Sequence, residues 1–130
     1  MDIARIQEYY KLRGLQWADQ KSALLFFLSE VGELSEAYLA HHQHNLDKEV
    51  IELLMDFSKL GLQADEIVSR KPGWIRNNDR VLKENIEFEV ADCNMMLSVF
   101  MYSLTGQTPD DALDKKMREK LAKAANDFHG

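Results

Sequence analysis

The 130-residue chain contains one cysteine, Cys93, two prolines and six glycines. A lone cysteine forms no intramolecular disulfide, so a reducing compartment suits the chain. So few prolines and glycines leave long stretches without a break, and no segment keeps the apolar/polar alternation a strand needs. Long apolar runs are missing too. The longest, Ala23–Leu28, falls far short of the roughly 20 residues that cross a bilayer. Positive charge is in deficit, with 16 Lys and Arg against 22 Asp and Glu, a net of −6. That balance disfavours binding along a nucleic-acid backbone. The opening residues Met1-Asp2-Ile3-Ala4-Arg5 do not have the form of a secretory leader. No internal repeat or low-complexity stretch is visible. The expectation is one soluble domain over residues 1–130, in the cytoplasm, with no membrane and no nucleic-acid partner.

Ala, Leu, Met, Glu and Lys are plentiful, which favours helix. Five helices are expected. The first covers about Asp2–Lys11 and ends near Gly14. The second runs from about Lys21 to His41, with Leu24, Phe27, Val31, Leu34 and Tyr38 at helical spacing. Asp47 is placed to cap a third helix that reaches about Ser69, before the breaker Arg70-Lys71-Pro72-Gly73. A fourth spans about Asp79–Leu104, stopped by Gly106. Thr108-Pro109-Asp110-Asp111 opens a fifth, to about Ala125. Short connections between them predict an all-α, antiparallel helix bundle.

The positions of the acids carry the functional signal. At about 100° per residue, Glu89 and Asp92 lie about 60° apart on the fourth helix. Met96 falls between them and Val99 and Phe100 just outside. Glu30 and Glu33 are also three apart, bordered by Phe26, Phe27, Leu34 and Ala37, with Gly32 between them. Isolated carboxylates within apolar stripes are costly unless paired, protonated or bound to a cation. Two such pairs on facing helices gather four acids in one pocket, and oxygen-only ligation suits Mg²⁺ or Mn²⁺ rather than Zn²⁺. The glycine predicts a close backbone approach. Lys116, Lys120 and Lys123 share one face of the fifth helix. Acids holding cations opposite ammonium groups suit a polyphosphate. The bland alternatives are a solvated acidic face and a solvated lysine face.

Ser29-Glu30-Val31-Gly32-Glu33-Leu34-Ser35-Glu36-Ala37 followed by Glu89-Val90-Ala91-Asp92 resembles the MazG-like nucleoside triphosphate pyrophosphohydrolases, an all-α family whose motif is EExxE followed by ExxD. The resemblance covers most of the second and fourth helices and, more weakly, Lys116-Met117. It implies a Mg²⁺-dependent enzyme that splits a nucleoside triphosphate into the monophosphate and pyrophosphate, in a dimer or tetramer of identical chains. It further implies Glu30, Glu33, Glu89 and Asp92 as metal ligands and Glu30 or Glu33 as general base. Lys116 would hold phosphates, with Lys120 and Lys123 standing where the family often has Asn and Arg. Trp17 is the candidate for the base and Lys21 for a phosphate contact. The chain departs from the pattern at Ser29, which replaces the first Glu, and in the long gap between Glu33 and Glu89, which holds an extra helix.

Other chemistries fit less well. A di-iron bundle needs Glu-x-x-His, but the residues three before His41, His42, His44 and His129 are Tyr38, Leu39, His41 and Asn126. The His41-His42-Gln43-His44 cluster has no nearby cysteine for a zinc site, and a polar helix end explains it better. Ser29 and Cys93 lack a base partner and read as structural. Trp74, in a basic loop, either covers a substrate or anchors the loop. The competing function classes are a non-catalytic dimerisation or adaptor protein, whose acids and lysines bridge subunits, and a nucleotide sensor without turnover.

Overall fold

The computed structural model describes residues 3–70 and 86–129, and every regular element in them is helical. The helices are α1 (Ile3–Leu12), α2 (Gln20–His42), α3 (Lys48–Ser69), α4 (Ile86–Thr105) and α5 (Pro109–His129), with a single 3-10 turn at Gln43–Asn45. The expected bounds hold to within a few residues. The expected start of α4 near Asp79, and Trp74 with its loop, lie outside the described residues.

Local chemistry sets the ends. Gly14 and Gly106 both take positive φ, 64° and 74°, the left-handed turn that ends a helix and that glycine adopts without strain. At the start of α2, Asp19 accepts a hydrogen bond from the Ser22 N–H at 2.8 Å, satisfying one free donor of the first turn. Asp47 occupies the cap position of α3 as expected, but its side chain makes no capping bond.

α2 is the central helix. It packs on α3 on one side and on α4 on another, and α1 lies across α4. The contact with α3 is antiparallel, since Glu36 Oε1 accepts from Ser58 Oγ at 2.6 Å while Gly32 meets Gly61. A Cβ at Gly32 would stand 2.8 Å from Gly61 Cα and 3.1 Å from the Phe57 carbonyl oxygen. The two backbones touch, as the glycine between the two glutamates predicts. At the other contact, Gln20 Nε2 donates to the Ser103 carbonyl at 3.1 Å, so α4 also runs antiparallel to α2. The core joins Ile6, Tyr10, Ala18, Ala23, Phe26, Val68, Met96 and Val99.

Two features of the packing differ from the sequence pattern, and the second corrects an expectation. The apolar stripe of α2 is not its buried side: Leu24 and Tyr38 are exposed, while Ser22, Phe26, Ser29, Gly32 and Ser35 are buried. A helix with neighbours on two sides needs small residues there for the backbones to come close. Nor is α5 a full member of the bundle. It touches chiefly α4, and residues 113–127 are all exposed. Its composition is the reason, because charged residues, Lys116, Lys120 and Lys123 among them, interrupt its few apolar positions.

Candidate metal centre

Glu30 and Glu33 project from α2 toward α4, one helical turn apart on one face. Glu89 meets them from the first turn of α4. One ligand oxygen from each lies within 4.8 Å of the others. Glu89 is buried and the two α2 glutamates are half-buried. Glu30 Oε2 is fully buried and has no hydrogen-bond partner. Burial, reinforced by Glu33, Asp92 and Glu89, pushes the Glu30 carboxyl up to about 9. Among the described residues this is the one group of His, Cys, Asp or Glu side chains placed to hold a metal ion.

Three of the four expected ligands therefore converge. Asp92 does not join them within that distance: it is exposed, although its charge is felt by Glu30. The donors present suit a divalent cation. All are oxygens, their charges repel one another in a partly dry site, and a buried oxygen lacks a partner, a combination a hard cation resolves.

The surroundings are thiol and aromatic. Cys93 lies one turn beyond Glu89 on α4 and is buried. Burial first, then the carboxylates of Glu30, Glu89, Asp92 and Glu33, push its thiol up to about 12. A thiol held neutral is a poor nucleophile. Cys93 should therefore react with a disulfide reagent at pH 8 at least tenfold more slowly than in urea-unfolded protein, a difference that timed thiol titration will register.

Tyr10 donates to Met96 Sδ at 3.7 Å, and burial, with Tyr9 and Glu30 beside it, pushes its phenol up to about 12. Trp17 packs on Tyr10, ring centroids 5.0 Å apart, and meets Tyr102 edge-on at 6.3 Å. Trp17 is thus half-buried against the core, next to the ring that adjoins the acids. Tyr102, which helical spacing places at one margin of the α4 apolar face, is the second aromatic partner of Trp17.

The expected phosphate contacts are exposed. Lys21 is exposed in the first turn of α2, and Lys116, Lys120 and Lys123 are exposed on the sparsely packed α5. Ser29 is buried on α2, so this position of the motif is a packing position here. His42 stacks on Tyr38 at 4.7 Å, whereas His41 and His44 are exposed. That arrangement matches a polar helix end. Arg70, in the expected breaker, pairs with Glu66 at 2.8 Å.

The acids set a pH dependence. The folded state raises Glu30 to about 9 from an ordinary 4.5, so it favours the protonated carboxyl. The stabilisation is complete below about pH 4.5 and is lost as pH rises through about 9. The melting temperature of metal-free protein should fall from pH 5 to pH 9. Millimolar Mg²⁺ should restore it most at pH 9, since ligation needs the carboxylates ionised. Thermal melts at three pH values with and without Mg²⁺ check both. No protein-family model, curated protein or solved structure compared with the chain matches it.

Proposed function

We propose that the chain is a Mg²⁺-dependent nucleoside triphosphate pyrophosphohydrolase of the MazG-like kind, with Mn²⁺ able to substitute, working as a homodimer or homotetramer. The observation that carries the reading is the convergence of Glu30, Glu33 and Glu89, one of them with a buried oxygen, Glu30 Oε2, that has no hydrogen-bond partner. The resemblance of the two acidic motifs supplies the substrate class. A divalent cation in this cluster would lower the pKa of a bound water and neutralise phosphate oxygens.

The remaining roles belong to the chain. Glu30, Glu33 and Glu89 would hold the ion. Glu33, half-buried and hydrogen-bonded to Glu30, accepts the proton of the attacking water. Asp92, at the exposed edge, completes the acidic rim where a triphosphate enters. Trp17 borders the nucleobase. Lys21, Lys116 and Lys120 neutralise the terminal phosphates when substrate binds. Pyrophosphate leaves as a stable anion, so no covalent intermediate is needed.

The test is pyrophosphate release from a panel of ordinary and modified nucleoside triphosphates in Mg²⁺, beside Glu33→Ala and Asp92→Ala. Turnover by the wild type and its loss in the variants support the proposal. Equal rates in all three proteins would refute it. Nucleotide binding without pyrophosphate release would identify a sensor instead.

A further inference from the structure

The phenol of Tyr10 is buried, 5 % exposed, where α1 lies across α4. A buried hydroxyl normally finds an oxygen or nitrogen acceptor. Tyr10 instead donates to Met96 Sδ at 3.7 Å, and a thioether is a weak acceptor. Glu30 has the opposite deficit. One of its oxygens is engaged with Glu33, whereas Oε2 is fully buried and has no partner. A weakly used donor and an unused acceptor thus stand in one buried region, and the reaction proposed above uses neither.

The fold brings them to nearly the same level. Phe26, Tyr10 and Met96 belong to one core cluster, and Glu30 lies one turn beyond Phe26 on the same face of α2. Gln20 meets Ser103 across the antiparallel pair. Glu30, ten residues on, therefore stands level with Cys93, ten residues back. Met96 is three residues from that level, about 4.5 Å along the axis. Helical side chains lean toward the N-terminus, which on α4 is toward Cys93. Burial, then Tyr9 and then Glu30 raise the Tyr10 phenol, so the hydroxyl and the carboxyl feel each other. Ser35 and Ser98, buried on the same two helices, already give their hydroxyls to the Val31 and Asn94 carbonyls at 3.0 and 2.8 Å. The Cys93 thiol is a weaker donor than a phenol.

We propose that Tyr10 is a positioning residue for Glu30. With a divalent cation in the acidic cluster, the Tyr10 hydroxyl leaves Met96 Sδ and donates to Glu30 Oε2, which keeps the other oxygen turned toward the ion. Carboxylates that ligate a cation are themselves held by hydrogen bonds, and the partner fixes their orientation. A hydrogen bond to a carboxylate is stronger than the bond to sulfur that it replaces, so the exchange favours the loaded site. The phenol keeps its proton throughout. This role of Tyr10 rests on the cation-binding part of the proposed function and is independent of the substrate.

Binding of Mn²⁺ alone, followed through the paramagnetic resonance signal of the free ion, tests it without substrate. Tyr10→Phe keeps the ring and should weaken Mn²⁺ binding about tenfold or more, the usual loss when a ligand's hydrogen-bond partner is removed, with helical circular dichroism intact. Met96→Leu removes the sulfur and conserves volume, so it should leave the affinity unchanged or raise it. Adding Mg²⁺ to the wild type should also give a tyrosine difference band in the near ultraviolet. The band should persist in Tyr9→Phe and Tyr102→Phe and vanish in Tyr10→Phe, and it decides the matter if Tyr10→Phe misfolds. Wild-type affinity in folded Tyr10→Phe overturns the inference, as does a missing band. So does equal weakening by Tyr10→Phe and Met96→Leu, the mark of packing alone. A wild type that binds no Mn²⁺ refutes the cation cluster itself, and the role of Tyr10 with it.

Discussion

Glu33→Ala should lower pyrophosphate release about 1,000-fold at saturating Mg²⁺ while leaving the helical spectrum unchanged. The proposal assigns this side chain both to the cation cluster and to the proton of the attacking water. A positioned base contributes on the order of 10² to 10⁴ in rate, and weaker hold on the cation adds to the loss. Folding should not suffer. In metal-free protein Glu33 raises the Glu30 carboxyl by its charge, so its removal relieves repulsion. The melting temperature without metal should therefore rise slightly, and its gain on adding Mg²⁺ should shrink. This opposite movement of stability and rate is the diagnostic feature, because a residue needed only for packing would lower both. Steady-state kinetics paired with melts in chelator and in Mg²⁺ measure it.

Gly32→Ala should destabilise the protein by about 1–3 kcal/mol, the usual cost of forcing extra atoms into a filled contact. For a domain of this size the melting temperature falls by roughly 4–11 °C. The sign is informative. In an exposed helix interior the same change would stabilise by about 1 kcal/mol. Here the added Cβ would stand 2.8 Å from Gly61 Cα, and a backbone atom cannot move aside by changing rotamer. Gly61→Ala meets Gly32 Cα at the same distance and should cost a similar amount. The double variant should be worse than either alone. Urea unfolding of the three proteins gives the values, and a stabilised Gly32→Ala would disprove the close contact.

Much of the helical framework was legible because its signals are local. Gly14 and Gly106 ended their helices; periodicity located α2, and the Asp47 cap position with the breaker after Ser69 located α3, to within a residue or two. The three-residue spacing of Glu30 and Glu33 put both on one face, and an apolar setting marked Glu89 as a partner for them. Gly32, costly in a helix, pointed to a close backbone approach, and the fold shows that α3 makes it. Tertiary neighbours were less accessible. The apolar stripe of α2 was visible as a stripe, but the buried side of the helix is the one with Ser22, Ser29, Gly32 and Ser35. A wheel shows how many apolar faces a helix has, not which neighbour takes each one. Asp92 falls on the same wheel sector as Glu89, but one turn further along α4 it reaches the exposed edge. The lysines of α5 share a face as expected. Whether that face meets the acids depends on the packing of α5, which is not a property of its own periodicity.

The contact between Gly32 and Gly61 also has a mechanical meaning. Packed side chains tolerate small displacements by changing rotamer, whereas touching main chains transmit them. Glu30 and Glu33 sit two residues before and one residue after that point of contact. A roll or shift of α3 is therefore passed to the carboxylates with little slack, and α3 acts as a lever whose short arm ends at the acidic cluster.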